Sequence, residues 1–135
     1  MTYLVDTDRL LDFLKGRADA VRLFASLASD GLAMSLMTYG EIYDGIYRSA
    51  DPRGQETSFV RMIGWIPVLG LDEEIMRRFA RIRGDLRLAG QPIGDADVLI
   101  AATAVHHDLT LVTRNLKHYR RIPGLKLYHD PGTAT

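Results

Sequence analysis

Residues 93–104, IGDADVLIAATA, constrain the fold more than any other stretch, because they are apolar on every side yet carry two carboxylates at their start. A helix that is apolar all round is a buried helix. Asp95 and Asp97 fall in its first turn, and an ionised carboxylate in a protein interior is costly unless a cation or hydrogen-bond donors receive it. The fold must therefore supply a partner for acids at this place.

Two acids from distant segments are candidates to share that partner. Asp6 ends the first apolar run, YLVD, and Glu41 lies one turn into a later segment, TYGEIYDGI. Each stands at the edge of an apolar element, as do the acids of residues 93–104. Mg²⁺ takes oxygen ligands and is held by a few carboxylates together with water and substrate phosphate. The pattern therefore predicts a site for a hard divalent cation.

Short apolar runs alternate with helical patterns along the chain. The pattern predicts strands at 3–5, 32–35, 65–69, 109–112 and 125–128, with Pro67 placing the third at an edge or a strand end. It also predicts a polar loop at 49–55 and a helix from about residue 57. This alternation indicates an α/β fold, a parallel sheet of four to five short strands flanked by helices. Asp6 and residues 113–115 then follow strands at the same rim.

The length of 135 residues fits a single domain, which we place at 1–129, followed by a flexible tail at 130–135. The chain has no cysteine, which excludes disulfides and thiolate zinc sites and fits a reducing cytoplasm. The N-terminal segment does not resemble a signal peptide, and no stretch reaches the roughly 18 apolar residues of a membrane span. We therefore expect a soluble cytoplasmic protein.

Charge does not by itself indicate a nucleic-acid-binding protein, because 17 basic residues balance 17 acidic ones. The basic residues nevertheless cluster twice. One cluster lies on a predicted helix and contains Arg77, Arg78, Arg81, Arg83 and Arg87. The other follows the last long apolar run and contains Arg114, Lys117, His118, Arg120 and Arg121. A solvated helix face explains the first cluster equally well, whereas the second lies nearer the expected site.

Structural roles compete with chemical ones at these acids. Asp6 has the sequence context of a helix N-cap. Thr38 and Glu41 form a T-x-x-E capping-box pattern, in which Thr38 caps the helix and Glu41 needs no metal. Asp95 and Asp97 are two residues apart and cannot share a helix face, so we assign Asp95 to the cap and Asp97 to the site.

Other enzyme classes lack their motifs. There is no Walker loop, no G-x-G-x-x-G and no G-x-S-x-G, and the histidines have no ligand spacing. Asp6 and Asp8 after a strand do match the D-x-D pair of HAD-like phosphatases. That class needs a further acidic motif, and Leu99 stands where the second acid of a G-D-x-x-x-D pattern would fall. The phosphatase is therefore the weaker alternative.

The chain resembles the PIN-domain ribonucleases, and specifically the VapC toxins of bacterial toxin–antitoxin pairs, in three segments taken in order: VDTD, TYGEIYDGI and IGDADVLIAATAVHHDLTLVTRN. The resemblance covers nearly the whole chain, and I-x-x-x-D-x-L-I-A-A-T-A followed by L-T-L-V-T-R-N is fairly specific. It implies that Asp6, Glu41 and Asp97 bind Mg²⁺ or Mn²⁺. The small polar residue that the family has near the first acid is matched by Thr7 and Asp8.

In that family a fourth acid often follows the LVT strand. Asn115 holds the place here, which leaves the binding of a second metal open. We expect Asn115 to orient a ligand or water, and Thr113 to hydrogen-bond a carboxylate or phosphate. Arg114 and Lys117 are expected to contact the RNA backbone, a contact that positions the RNA without reading its sequence.

The resemblance implies a metal-dependent endoribonuclease that acts on structured RNA, commonly a tRNA. It also implies a small antitoxin whose C-terminal segment covers the site, and a homodimer. A PIN-like module that binds RNA or protein without catalysis is the alternative from another functional class. The retained acids Asp6, Glu41 and Asp97 favour the enzyme.

Overall fold

A computed structural model describes residues 1–130, so the remainder of the expected tail, 131–135, lies outside the described residues. The strands are Tyr3–Val5 (β1), Leu32–Ser35 (β2), Val68–Leu69 (β3), Thr110–Val112 (β4) and Lys126–Leu127 (β5). The helices are Thr7–Leu14 (α1), Ala18–Leu27 (α2), Leu36–Tyr47 (α3), Pro52–Ile63 (α4), Glu73–Leu88 (α5), Asp95–His106 (α6) and Leu116–Tyr119 (α7), with a 3₁₀ turn at Ala28–Asp30.

All the strands pair in parallel in one sheet of order β3-β2-β1-β4-β5. The central strand β1 pairs on one side with β2, through Leu4 and Ala33, and on the other with β4, through Leu4 and Leu111. The chain winds outward from β1 to β3 and then returns to β4, so the direction of winding reverses between β1 and β4. Ligand sites of such sheets lie at this reversal, beyond the carboxyl ends of the strands. The predicted α/β fold is confirmed.

Alternate residues of the short strands pack into cores on opposite faces of the sheet, as the two-residue period of a strand requires. Val5 and Val112 join a core built with helices α1 to α4. Leu4 and Leu111 join a second core built with α5, α6 and the segment around α7. Each three-residue strand therefore contributes to both cores.

Helix α6 is buried on several sides, as its composition predicts. Val98, Ile100, Ala101 and Ala104 are each 0% exposed. Burial within the protein accounts for the apolar run, and no helix in residues 1–130 has the length and hydropathy needed to cross a bilayer. The carboxylates of its first turn therefore stand at the edge of a tightly packed core.

One predicted loop is wrong. Residues 49–55 contain the first turn of α4, which begins at Pro52 because Asp51 accepts a hydrogen bond from the Gly54 amide at 3.1 Å as the N-cap. Proline is favoured in the first turn of a helix, where no amide hydrogen bond is lost. The prediction for Pro67 is confirmed, because it directly precedes β3, a strand at the edge of the sheet.

Candidate active site

Asp6 lies directly beyond β1, at the reversal of the sheet, and is 5% exposed. Its amide donates to the carbonyl of Val112 at 2.9 Å, which extends the pairing of β1 with β4 by one residue. Its Oδ1 accepts from the Thr7 amide at 2.8 Å, and its Oδ2 accepts from the Thr113 hydroxyl at 2.7 Å. Asp6 is the N-cap of α1, so its cap role and its place in the site are compatible.

The surroundings of Asp6 disfavour its ionised form. Burial raises the pKa of Asp6 to about 7, and the negative charges of Asp8 and, less strongly, Asp97 act in the same direction. Hydrogen bonds from Thr113 and the Thr7 amide lower this pKa but do not offset the increase. A cation placed among these carboxylates would stabilise them all.

Asp8 carries an unsatisfied oxygen beside Asp6. Its Oδ2 accepts from the backbone amide of Arg114 at 3.0 Å, whereas its Oδ1 is buried and, although the Arg9 amide lies near the carboxylate, has no partner of hydrogen-bond geometry in residues 1–130. Burial raises the pKa of Asp8, and the neighbouring amides and charges of Arg114 and Arg9 lower it. A buried carboxylate oxygen without a donor is a binding position for a cation, a water molecule or a hydroxyl group.

Glu41 is connected to the site by Thr7. Its Oε1 accepts from the Thr7 hydroxyl at 2.7 Å, and the same hydroxyl lies 3.0 Å from the Thr38 Oγ1. The predicted capping box is wrong: Ser35 is the N-cap of α3, and its hydroxyl accepts from the Thr38 amide at 3.0 Å. The chain turns into the helix directly after β2, so Thr38 already lies inside the first turn. Glu41 consequently contacts α1 and not the start of its own helix.

Asp95 and Asp97 point in different directions, as predicted, but the cap role of Asp95 is wrong. The N-cap of α6 is Gly94, with no side-chain cap, and Asp95 is the first helical residue. The carboxylate of Asp95 pairs at the surface with Arg83 Nε at 2.7 Å. Asp97 lies on the side of the site, where its charge raises the pKa of both Asp6 and Tyr119.

Tyr119 is a site residue that the sequence analysis missed. It is 0% exposed, and its hydroxyl lies near the carboxylates of Asp6 and Asp97, although no contact in residues 1–130 has full hydrogen-bond geometry. Burial, followed by the charges of Asp6 and Asp97, raises its pKa, so the phenol remains protonated. A signal was present, because Tyr119 follows Asn115 by four residues and shares its helix face.

The loop between β4 and α7 completes the site. Thr113 is 3% exposed and its hydroxyl, besides donating to Asp6, accepts from the Asn115 amide at 3.0 Å. The Asn115 side chain lies 3.0 Å from His118 Nδ1. Lys117 is exposed on this rim, and the guanidinium of Arg114 is occupied by Asp12, with Nε 2.9 Å from Oδ2.

The donor set fits a hard cation, because it consists of carboxylate, hydroxyl and amide oxygens and includes the unsatisfied Oδ1 of Asp8. No three Asp, Glu or His side chains in residues 1–130 stand in the geometry of a metal site. Asp6, Asp8 and Asp97 interact electrostatically, and Glu41 is linked to them through Thr7. The convergence of Asp6, Glu41 and Asp97 on one ion therefore stays a prediction.

Comparison with known proteins identifies the family. The model of the PIN domain matches residues 3–125. Ribonuclease VapC1 of Methanocaldococcus jannaschii is 35% identical over 127 residues, covering 93% of this chain and 85% of that protein. The tRNA(fMet)-specific endonuclease VapC of Salmonella typhimurium is 27% identical over 127 residues, covering 94% of this chain and 96% of that protein.

A solved structure gives the same result for the fold. The crystal structure of VapBC2 from Rickettsia felis, bound to a DNA fragment from their promoter, aligns with a TM-score of 0.89 and 25% identity, covering 95% of this chain and 98% of that chain. The chain belongs to the PIN-domain family of nucleases. Within that family its relatives are the VapC ribonucleases, so its class is that of the toxin endoribonucleases.

Proposed function

We propose that this chain cleaves a structured RNA with the help of Mg²⁺ or Mn²⁺ and is controlled by a small antitoxin. The observation that carries the proposal is the group of carboxylates at the sheet reversal, where the buried Asp6 lies beside the half-buried Asp8 and Asp97 and one Asp8 oxygen has no partner of hydrogen-bond geometry. Such a group is costly unless a cation joins it. Metal-dependent catalysis explains this costly arrangement of carboxylates better than a role in binding alone.

Asp6, Asp97 and Glu41 would hold the cation, with Asp8 beside them. A bound divalent ion polarises the scissile phosphate and makes hydroxide available at neutral pH. The threonines keep the carboxylates oriented, since Thr113 donates to Asp6 and Thr7 donates to Glu41.

The rim residues would receive the RNA. Asn115 is half-buried next to Thr113, the residue that donates to Asp6, and it would orient a water molecule or a phosphate oxygen. Lys117 is exposed on the same rim and would contact an RNA phosphate. Thr113 is committed to Asp6 and Asn115, so its role would be to hold the site together, and a phosphate contact would require it to exchange a partner.

We take tRNA as the first substrate class to test, because the relative from Salmonella typhimurium is named a tRNA(fMet)-specific endonuclease. The zero net charge of the chain means that bulk attraction to RNA is weak. Recognition would then depend on local contacts at the rim and on RNA shape. Which tRNA is cut, and at which bond, follows from a cleavage map.

The antitoxin would bind beside the acids. A groove of about 620 Å³ runs between α1, α3 and α4, with Leu11, Leu14, Ile42 and Ile46 among its lining residues. Ile42 is the residue after Glu41 in α3, so the groove and the acidic site share this helix. A segment with an apolar face and a basic residue at one end fits both the groove and the adjacent carboxylates. The homodimer, the single domain at 1–129 and the cytoplasmic location also stay predictions.

The test uses the purified chain, freed of metal with EDTA, and a pool of tRNA. We expect no cleavage in EDTA and recovery on addition of Mg²⁺ or Mn²⁺, because the site offers hard oxygen ligands without soft ones. Arg48→Gln, at an exposed ion pair with Asp44, is the matched surface control. Undiminished cleavage in EDTA would contradict the requirement for a divalent metal ion. Metal binding without cleavage of any RNA would favour the non-catalytic binding module.

A further inference from the structure

Arg114 connects the loop after β4 to two successive turns of α1. Its backbone amide donates to Asp8 Oδ2 at 3.0 Å. Its guanidinium reaches Asp12, with Nε 2.9 Å from Oδ2 and a terminal nitrogen 3.5 Å from Oδ1. Asp8 and Asp12 are four residues apart and therefore share one face of the helix. A single residue thus spans about one helical pitch, roughly 5.4 Å, along α1.

Asp12 is an unusual partner because it lies on the buried side of α1. Asp12 is 4% exposed, and its chain neighbours Leu11 and Phe13 pack against the hydrophobic core. Its other cation is Arg17, whose Nε lies 3.6 Å away and whose side chain is 61% exposed. The shorter, two-pronged contact comes from Arg114. Loss of the Arg114 contact would leave the buried Asp12 carboxylate with only the longer contact to Arg17, which disfavours its opening.

We propose that Arg114 and Asp12 form a clamp that positions the catalytic loop, and that Arg114 acts as a positioning residue and not as an RNA-phosphate contact. The inference rests on the proposed ribonuclease function. The clamped loop carries Thr113, which orients Asp6, and Asn115 on the rim. With the clamp closed, the loop is fixed against the helix that begins at Asp6. With the clamp open, these side chains lose their fixed placement relative to the carboxylates.

A lysine cannot replace this arginine, because an ammonium group does not form the planar, two-pronged contact with a carboxylate. This gives a charge-conserving test. Arg114→Lys keeps the positive charge that an RNA contact would need but opens the clamp, and Asp12→Asn opens the clamp while leaving Arg114 in place. Lys117→Gln removes a charge from the same rim without touching the clamp, and Arg48→Gln removes one from a distant exposed pair.

The first measurement is steady-state cleavage of a tRNA pool with Mn²⁺. We expect kcat to fall about 10- to 100-fold in Arg114→Lys and in Asp12→Asn, the range for lost support of a catalytic group, with KM within about 2-fold of the parent. The double variant Asp12→Asn/Arg114→Lys should be no slower than the worse single variant, because both changes open the same contact. A parental kcat in either single variant overturns the clamp. A higher KM with a weaker salt dependence and a parental kcat in Arg114→Gln, which removes the positive charge, does so too.

The second measurement does not depend on activity. Backbone hydrogen exchange of Arg114 reports its bond to Asp8, and the Asp6 amide, which donates to Val112, serves as a reference within the sheet. We expect the Arg114 amide to exchange about 10-fold faster in Asp12→Asn than in the parent, with Asp6 unchanged. Equal exchange at Arg114 overturns the clamp. If the parent cleaves no RNA, the proposed function fails, but the exchange rate of the Arg114 amide still shows whether the clamp exists. If Asp12→Asn does not fold, the same exchange measurement is made on Arg114→Lys.

Discussion

Replacing Asp6 by Asn should stabilise the metal-free protein at high pH and not at low pH. Burial and neighbouring carboxylates raise the pKa of Asp6 from 3.8 to about 7 in the folded chain. The folded state therefore holds a proton that the unfolded state releases between these two values. Stability of the parent is at its full value below about pH 4, falls as the pH rises through this window, and is lowest above about pH 7.

The size of the effect follows from the shift. A change of about 3 pKa units corresponds to about 4 kcal/mol, since one unit is worth about 1.4 kcal/mol. Asn keeps one oxygen for the Thr7 amide and turns its NH₂ group toward Thr113, whose hydroxyl can then donate to Asp8, 3.5 Å away. This rearrangement weakens about one hydrogen bond, at a cost of about 1 kcal/mol. The net gain above pH 7 is about 3 kcal/mol, roughly 10 °C in melting temperature for a domain of this size.

Urea unfolding followed by circular dichroism in EDTA, from pH 4.5 to 8, measures this difference directly. Titrating groups that do not interact with Asp6 cancel when the free energies of unfolding are subtracted, so the difference reports Asp6 together with its charged neighbours Asp8 and Asp97. We expect Asp6→Asn to be about as stable as the parent at pH 4.5, where the two effects offset each other, and more stable at pH 8. Two stability curves that stay parallel across the whole range would refute the reasoning, because Asp6 would then ionise equally easily in both states.

Three further outcomes are expected. Glu41→Gln should keep the bond from Thr7 and the parental melting temperature but lose roughly 100-fold or more in cleavage rate, because a neutral amide is a poor ligand for a divalent ion; parental cleavage would assign Glu41 a structural role. Asp97→Asn should be about 1 kcal/mol more stable than the parent in EDTA, and Mg²⁺ should raise its melting temperature little. An equal rise in melting temperature with Mg²⁺ in both proteins would remove Asp97 from the site. Lys117→Gln should weaken binding to all RNAs and reduce the salt slope by about 0.7 to 0.9, as titrations at several salt concentrations will show; an unchanged slope would exclude a phosphate contact.

The sequence predicted the elements well where periodicity was strong. The burial of α6 follows from residues that are apolar on every side, and Asp6 could be placed at the site because it ends an apolar strand run. The start of α4 was misplaced because Gly54 and the polar composition of residues 49–55 favour a loop, although Asp51 followed by Pro52 is a signal for a helix start. Composition alone does not distinguish a loop from a capped first turn.

The polar contacts between segments could be predicted only in part. The T-x-x-E pattern at Thr38 fits a capping box in the sequence, but the preceding Ser35 takes the cap because β2 leads directly into the helix. Arg114 was placed on the correct rim, yet its bond to Asp12 joins residues 102 positions apart. Such pairings depend on the tertiary fold, and no local pattern encodes them.

The two outer strands of the sheet limit how this protein can associate with others. Val68–Leu69 and Lys126–Leu127 are two residues long, one preceded by a proline and the other beginning with a lysine. Short edges with these residues leave few free backbone groups for another strand to pair with, which protects a protein against edge-to-edge aggregation. Association by backbone pairing at either edge is therefore disfavoured, so copies of this chain have little tendency to join into a continuous sheet.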